Sequence, residues 1–132
     1  MLEASDLPYQ GRGRYLSEDS LTLARSIGSV ELQLKAQFLG QDLLVIISGG
    51  EAHAGAAAVG GFLTRPYASV ITVPGHRDDV VAKEAALRLS SALQRTCIVL
   101  VGIHINNASK EQIGNVVRAS LELVSELIEA LK

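Results

Sequence analysis

Each of the three histidines in this chain stands within two residues of a glycine. The pairs are His53 with Gly55, His76 with Gly75, and His104 with Gly102. Imidazole can ligate a metal, carry a proton near neutral pH or pair with an anion. One histidine at the end of a strand is usually structural, but three in comparable positions indicate a cleft at one edge of a sheet, where loops converge.

Other polar residues next to these histidines allow several kinds of site. Arg77 and Asp78 follow His76, and Asn106 follows His104. Three histidines can hold a metal and leave a fourth position open, although their spacing here matches no ligand signature. Nucleophilic catalysis has less support, because Cys97 lies in an apolar run and Ser48 lacks the sequence of a nucleophile elbow.

An anion site is the alternative that the residue types favour. Gly49, Gly50 and Gly75 allow backbone amides to face a ligand, and Arg77 can bind phosphate bidentately at the start of a helix. Asp78 and the adjacent Asp79 would repel phosphate unless they are turned away or matched by a charged His76. The competing interpretation is that the glycines serve turns and the two acids cap the helix, and both interpretations remain open.

Composition excludes several classes of protein. The 132 residues suit one domain, and 48% hydrophobic with 20% charged residues predict a packed core. Aromatic residues make up only 4% and the net charge is −2, so neither base stacking nor a basic field favours nucleic-acid binding. Cys97 has no second cysteine to pair with, which predicts a buried thiol and a reducing compartment.

No segment has the pattern of a secretion signal or a membrane span. Residues 1–6 contain neither the basic region nor the apolar region of a signal peptide. The longest apolar runs, Leu43 to Ile47 and Cys97 to Val101, are far shorter than the roughly 20 residues that cross a bilayer. We therefore expect a cytoplasmic, soluble protein without membrane contact.

The hydrophobic pattern divides the chain into an extension, residues 1–28, and a domain, residues 29–132. Within the extension, Leu21 to Ile27 could be either a helix or a strand. Strict alternation from Val30 to Phe38 predicts an antiparallel strand with one wet face. Leu43 to Ile47 predicts a strand buried on both faces and paired with it as a hairpin. Two further strands are expected at Ala56 to Gly61, where small residues predict close approach of a backbone or a ligand, and at Tyr67 to Val73.

The second half of the predicted domain contains two helices and one strand. One amphipathic helix begins at Asp78 and Asp79 and ends near Arg95. A buried strand follows over Cys97 to Ile105, with His104 at its tip. Ser109 and Gln112 form a capping box that opens a helix over Lys110 to Leu131, whose apolar surface is wide enough to seal a subunit interface. The fold class is therefore α+β, with two helices packed on a mainly antiparallel sheet.

Four segments together resemble the LpdD-like family of prenylated flavin chaperones. They are Asp42 to Gly50, Glu51 to Gly55, Pro74 to Asp79, and Gly102 to Asn106. The resemblance covers roughly residues 29–113. The chain departs from the family at Ala54, where a bulkier aliphatic residue is usual, and at Asn106 and Asn107, where acidic residues are common.

The resemblance implies a dimeric domain with the fold of the proteasome assembly chaperones. It further implies that the chain binds prenylated FMN, or FMN, and supports cofactor maturation or delivery to a UbiD-type decarboxylase without itself decarboxylating a substrate. Oxidation of the flavin by this chain is left open. The cofactor-binding residues expected on this basis are Gly49, Gly50, His53, Gly55, Gly75, His76, Arg77, Asp78, His104 and Asn106. Arg77 and the amides of Gly49 and Gly50 would hold the phosphate, and the three histidines would contact the ring or the ribityl chain.

Two alternatives remain beside this hypothesis. The chain could be a cofactor-free scaffold that binds a decarboxylase subunit through its last helix, or, with less support, a metal-dependent enzyme that uses the three histidines.

Overall fold

A computed structural model describes residues 14–16, 20–74 and 77–132 of the chain. In this part of the chain, seven strands and two helices follow one another. They are β1 (Arg14–Leu16), β2 (Ser20–Ile27), β3 (Val30–Leu39), β4 (Asp42–Gly50), β5 (Ala56–Phe62), β6 (Pro66–Thr72), α1 (Asp79–Leu93), β7 (Cys97–His104) and α2 (Lys110–Leu131). The α+β class predicted from the sequence is confirmed.

The strands form one sheet in the order β1-β2-β3-β4-β7-β5-β6. Every neighbouring pair is antiparallel except β4 and β7, which run parallel. The expected hairpin of β3 and β4 is confirmed, with Ala36 opposite Val45. Because β7 lies between β4 and β5, the connection from β4 to β5 must cross over β7, and this crossing builds the site described below.

Segment 20–27, which the sequence left undecided, is a strand of this sheet. All eight residues of β2 pair with β3, and Leu21 and Leu23 are buried. On the same strand, Arg25 forms ion pairs with Glu122 and Glu126 of α2, which fasten that helix over β2. The sheet thus includes part of the predicted extension, while the domain boundary at residue 28 stays a prediction.

Both helices pack on one face of the sheet and form the core with it. One row of this covered face runs through Leu21, Ala36, Val45, Val99 and Ala58, and each of these side chains is buried. Gly60 on β5 lies directly under α1, where a Cβ would come within 2.7 Å of the Ala86 carbonyl oxygen. The close backbone approach expected for this small-residue strand is therefore present.

The other face of the sheet carries no helix in the described ranges, which corrects one prediction from the sequence. The strand over Leu43 to Ile47 was expected to be buried on both faces, but Ile46 is 37% exposed while Val45 and Ile47 are fully buried. The two helices cover only one side, so the apolar residues that point the other way form an open surface. This surface runs across β4, β7, β5 and β6, and we call it the open sheet face.

The two helices begin and end close to the predicted residues. In α2, Ser109 accepts a hydrogen bond from the Gln112 amide at 3.1 Å, and the Gln112 side chain accepts one from the Ser109 amide at 2.8 Å. The predicted capping box is thus complete. In the ranges that the structure describes, neither helix combines the length and apolarity that crossing a bilayer requires.

Candidate functional site

The candidate site lies where the loop from β4 to β5 crosses the end of β7. This loop, residues 51–55, passes over Gly102, and the His53 carbonyl oxygen lies where a Cβ on residue 102 would be. The crossing is held by hydrogen bonds at both ends, from the Glu51 amide to the His104 carbonyl and from the Gly55 amide to the Val101 carbonyl, each 3.0 Å long. The loop therefore fixes His53 beside the tip of β7.

His53 contacts two of the other predicted site residues. Its ring meets the His104 ring edge to face, with 5.9 Å between the centroids. Its Nε2 atom lies 3.4 Å from a carboxylate oxygen of Asp78, and the pair is charged when His53 is protonated. Two of the three histidines thus meet, although they are 51 positions apart in the sequence.

Asp78 stands at the N-cap of α1, the position that one of the two open interpretations of the sequence gives it. Its side chain makes no capping hydrogen bond. It is 9% exposed and packs instead on Gly55, where a Cβ would overlap the carboxylate. The carboxylate therefore faces His53, so that this acid has a partner of the opposite charge when the imidazole is protonated.

A cavity of about 230 Å³ lies between the tip of β7 and the first turns of the two helices. We call it the helix cavity. Arg77, Asp78 and His104 line its polar part. The apolar part is lined by Val81, Ile103, Ile105, Ala108, Ile113, Val116 and Val117. A few polar groups at one side of an apolar wall are typical of small-molecule sites.

A second cavity, of about 510 Å³, lies on the open sheet face beside the same loop. We call it the sheet cavity. Its floor includes Ile46, Leu100 and Ala57, and its rim includes His53 and Ala54. His53 lines the sheet cavity, while its contacts Asp78 and His104 line the helix cavity, so His53 connects the linings of the two cavities.

Side chains linked by hydrogen bonds support His104, which lines the helix cavity. His104 Nε2 lies 3.0 Å from Asn106 Oδ1, and Asn106 Nδ2 donates to Glu51 Oε1 at 3.4 Å. Glu51 was not singled out from the sequence. The only local signal for it is its position directly after Gly50, whose positive φ of 62° turns the chain toward β7.

The predicted site residues fall into three groups. His53, Gly55, Asp78, His104 and Asn106 are brought together with Arg77 around the crossing loop. Gly49 and Gly50 lie within β4, paired with Ile103 and His104, and do not line the helix cavity. Gly75 and His76 lie outside the described residues, so their predicted roles stay predictions.

The described part of the chain contains no cluster of side chains that could ligate a metal ion. Within residues 14–16, 20–74 and 77–132, no three His, Cys, Asp or Glu side chains converge in a way that could hold an ion. His76, which the metal-enzyme alternative requires, lies outside those ranges. Cys97 is fully buried, and burial raises the pKa of its thiol to about 11, which opposes its use as a nucleophile.

The fold is similar to that of a solved chaperone structure. A chain in "Crystal Structure of a Novel Chaperone Complex for Yeast 20S Proteasome Assembly" matches 85% of this chain over 94% of its own length, with a TM-score of 0.55 and 16% sequence identity. At this identity the similarity concerns the fold alone. It confirms the architecture implied by the resemblance of the four sequence segments.

Sequence comparison connects the chain to one family. Protein LpdD of Lactiplantibacillus plantarum (strain ATCC BAA-793 / NCIMB 8826 / WCFS1) is 27% identical over 108 residues, which cover 77% of this chain and 78% of that protein. The family model described as "Prenylated flavin chaperone LpdD-like domain" matches residues 26–132, which include β3 to α2 and the whole crossing loop. The chain therefore belongs to the LpdD-like chaperone domain family, as its histidine motifs predicted.

Proposed function

We propose that this chain binds prenylated FMN at the helix cavity and supports its maturation or delivery to a UbiD-type decarboxylase. The observation that carries the proposal is the convergence of Arg77, Asp78 and His104 on one cavity with an apolar wall. The family to which the chain belongs supplies the class of ligand. The decarboxylase is the partner that the resemblance of the four sequence segments implies.

The residues around the helix cavity suit a flavin phosphate at one end. Arg77 is exposed at the start of α1, where a guanidinium can bind phosphate bidentately. The first turns of α1 and α2 both border the cavity, and helix N-termini favour anions. Asp78 directs its carboxylate toward His53, which reduces the repulsion that the sequence predicted for this acid.

The apolar wall suits the prenyl group and the ring. Ile103, Ile105 and Val117 add apolar lining to the cavity beside its polar residues. About 230 Å³ is less than the roughly 300 to 1,000 Å³ of typical sites for drug-sized ligands, so the cavity would take part of the cofactor and leave the rest at the rim. When bound, prenylated FMN is cargo whose chemistry is used by the decarboxylase. This chain's residues would bind it, orient it and limit its contact with water.

The predicted homodimer has a second candidate surface in the open sheet face. Five apolar side chains on this face are at least 37% exposed, namely Ile46, Val59, Tyr67, Ile71 and Leu100. From strand spacing and rise, β4, β7, β5 and β6 present roughly 400 Å² of sheet. With β2 and β3 added as a polar border the face reaches about 700 Å², close to the roughly 800 Å² that each partner buries in a standard interface. We infer that a second copy of this chain covers this face.

Arg77 allows a direct test of phosphate recognition. FMN and riboflavin differ only in the phosphate, so wild-type protein should bind FMN at least tenfold more tightly in a fluorescence titration, given the strength of charge-assisted hydrogen bonds. Arg77→Gln should remove most of that preference. Arg88→Gln is the matched control, because Arg88 is an exposed α1 residue paired with Glu84.

Other outcomes of the titration would favour the alternative functions. A wild-type chain that binds neither FMN nor prenylated FMN, tested anaerobically, yet binds the decarboxylase would favour the cofactor-free scaffold. Zinc or iron at one equivalent per chain in purified protein would favour the metal-dependent enzyme.

A further inference from the structure

We infer that Glu51 and Asn106 act as positioning residues that set which nitrogen of His104 carries its hydrogen. The chain of contacts runs from Glu51 Oε1 to Asn106 Nδ2, and from Asn106 Oδ1 to His104 Nε2. The inference rests on the proposed function for the identity of the ligand but not for the arrangement of the hydrogens.

The carboxylate of Glu51 determines the order of the hydrogen bonds. An ionised carboxylate can only accept hydrogen bonds, so the Asn106 side chain must present its NH₂ group to Glu51. The carbonyl oxygen of the same amide then faces His104 Nε2 at 3.0 Å. Because that oxygen can only accept, Nε2 must be the ring nitrogen that donates.

This arrangement defines what His104 offers to a ligand. In the neutral imidazole, a hydrogen on Nε2 leaves a lone pair on Nδ1. Among the described residues, Nδ1 of His104 has no hydrogen bond, and the residue lines the helix cavity. The neutral His104 ring thus has an acceptor available at Nδ1, which would pair with ligand groups that carry an N–H or O–H, such as the imide N–H of a flavin ring or a ribityl hydroxyl.

The backbone keeps these three side chains in place. The Glu51 amide donates to the His104 carbonyl at 3.0 Å, which holds the crossing loop against the end of β7. Asn107 has a positive φ of 55°, a conformation that asparagine adopts more readily than most residues. It turns the chain between Asn106 and the N-cap of α2.

Glu51→Lys gives a decisive test of the hydrogen arrangement. An ammonium group can only donate, so the Asn106 amide would turn its oxygen to residue 51 and its NH₂ to His104. Nε2 must then accept, and the hydrogen moves to Nδ1. The tautomer of His104 can be measured by nitrogen-15 NMR of histidine-labelled protein at a pH where the imidazole is neutral. The His104 ring should carry its hydrogen on Nε2 in the wild type. In Glu51→Lys the ratio of the Nδ1–H to the Nε2–H form of His104 should rise by about fivefold or more.

Two further variants separate this effect from a change in charge. Glu111→Lys makes the same charge change on an exposed residue in the first turn of α2 and should leave the tautomer ratio unchanged. Glu51→Gln, which can both donate and accept, should give an intermediate ratio. Equal ratios in Glu51→Lys and Glu111→Lys would overturn the inference.

Ligand binding by Asn106→Ala tests the acceptor role. This variant should weaken FMN and riboflavin alike, by about three- to tenfold, since the contact is with the ring or ribityl chain. Arg77→Gln should weaken FMN alone. Unchanged affinity in Asn106→Ala would refute the acceptor role, whereas absence of flavin binding in the wild type would refute the proposed function and leave the NMR result to judge the tautomer.

Discussion

The backbone carbonyl of His53 lies where the side chain of residue 102 would begin, so the loop from β4 to β5 can cross β7 only at a glycine. This contact connects fold and site directly. The same crossing that lets β7 lie between β4 and β5 places His53 against His104. The glycine next to this histidine motif is therefore a steric requirement of the topology.

Gly102→Ala should destabilise the protein and disturb the site. The new methyl group would overlap backbone atoms of His53, which cannot move without displacing the loop. We expect a loss of about 2 to 4 kcal/mol in the free energy of unfolding, as for other buried steric conflicts, measured by urea denaturation.

Gly114→Ala is the matched control for this substitution. Gly114 lies in α2, and the space that a Cβ would occupy there has no neighbouring atom within 4 Å. Alanine at this position should stabilise the protein by roughly 0.5 to 1 kcal/mol through helix propensity. Equal changes in the free energy of unfolding for Gly102→Ala and Gly114→Ala would show that the His53 loop can move away from residue 102 without loss of stability.

Much of the fold could be predicted from local pattern, because the pattern reflects local physics. The alternation in β3 and the capping box at Ser109 and Gln112 gave the correct element types and nearly the correct ends. The sequence pattern does not decide the type of β2, since its apolar alternation is interrupted at Arg25. The Arg25 side chain is mostly buried and forms ion pairs with α2. That stabilisation comes from residues about 100 positions away.

The site was predicted only in part, for a topological reason. The adjacency of histidine and glycine predicts that polar strand ends converge, and of the three histidines the structure brings His53 and His104 together, whereas His76 lies outside the described residues. Nothing in the local sequence shows that β7 lies between β4 and β5, and this order decides that Gly50 pairs with His104. It also brings Glu51 to Asn106 across 55 positions, a contact that no spacing pattern predicts.

Arg25→Ala should loosen α2 from the sheet. Arg25 is only 12% exposed in its side chain, while its partners Glu122 and Glu126 are 55% and 36% exposed. Solvent screening at the carboxylates limits the Coulomb contribution, so we expect a loss of about 1 to 2 kcal/mol from the ion pairs and the packed alkyl stem together. Thermal unfolding of the variant and the wild type measures this loss of stability.

Arg88→Ala provides the comparison for this ion pair. Arg88 and Glu84 form an exposed pair one turn apart on α1, and such pairs contribute about 0.3 to 0.5 kcal/mol. High salt should weaken the ion pairs of both Arg25 and Arg88 in the wild-type protein. The effect should be stronger on the exposed pair of Arg88 and Glu84. If Arg25→Ala lowers the free energy of unfolding no more than Arg88→Ala does, the ion pairs of Arg25 do not hold α2 on the sheet.

Cys97 should make stability fall at alkaline pH. Burial raises the pKa of its thiol from 9.0 to about 11. Above pH 9 the unfolded chain releases this proton while the folded chain retains it, so the free energy of unfolding decreases as pH rises toward 11. The full loss is roughly 2 to 3 kcal/mol, at about 1.36 kcal/mol per pKa unit.

Cys97→Ala isolates this contribution from lysines and tyrosines that titrate in the same range. Denaturation at about pH 7.5, 9 and 10.5 should show a smaller decline in the variant than in the wild type. The native thiol should also resist alkylation at about pH 8. Parallel declines in the two proteins would show that the Cys97 thiolate is tolerated in the folded state.

Charge placed on the open sheet face should separate the proposed dimer. Ile71 is 77% exposed on β6, so Ile71→Lys should fold normally, yet in a sheet-to-sheet dimer it would bury an unpaired ammonium. We expect a shift from dimer to monomer in sedimentation velocity, with the dissociation constant increased by about 100-fold or more. Ile113→Lys tests the competing surface on α2, since Ile113 is 52% exposed at the start of that helix. If Ile113→Lys dissociates the dimer and Ile71→Lys does not, the interface lies on α2; a wild-type chain that is monomeric throughout would refute both surfaces.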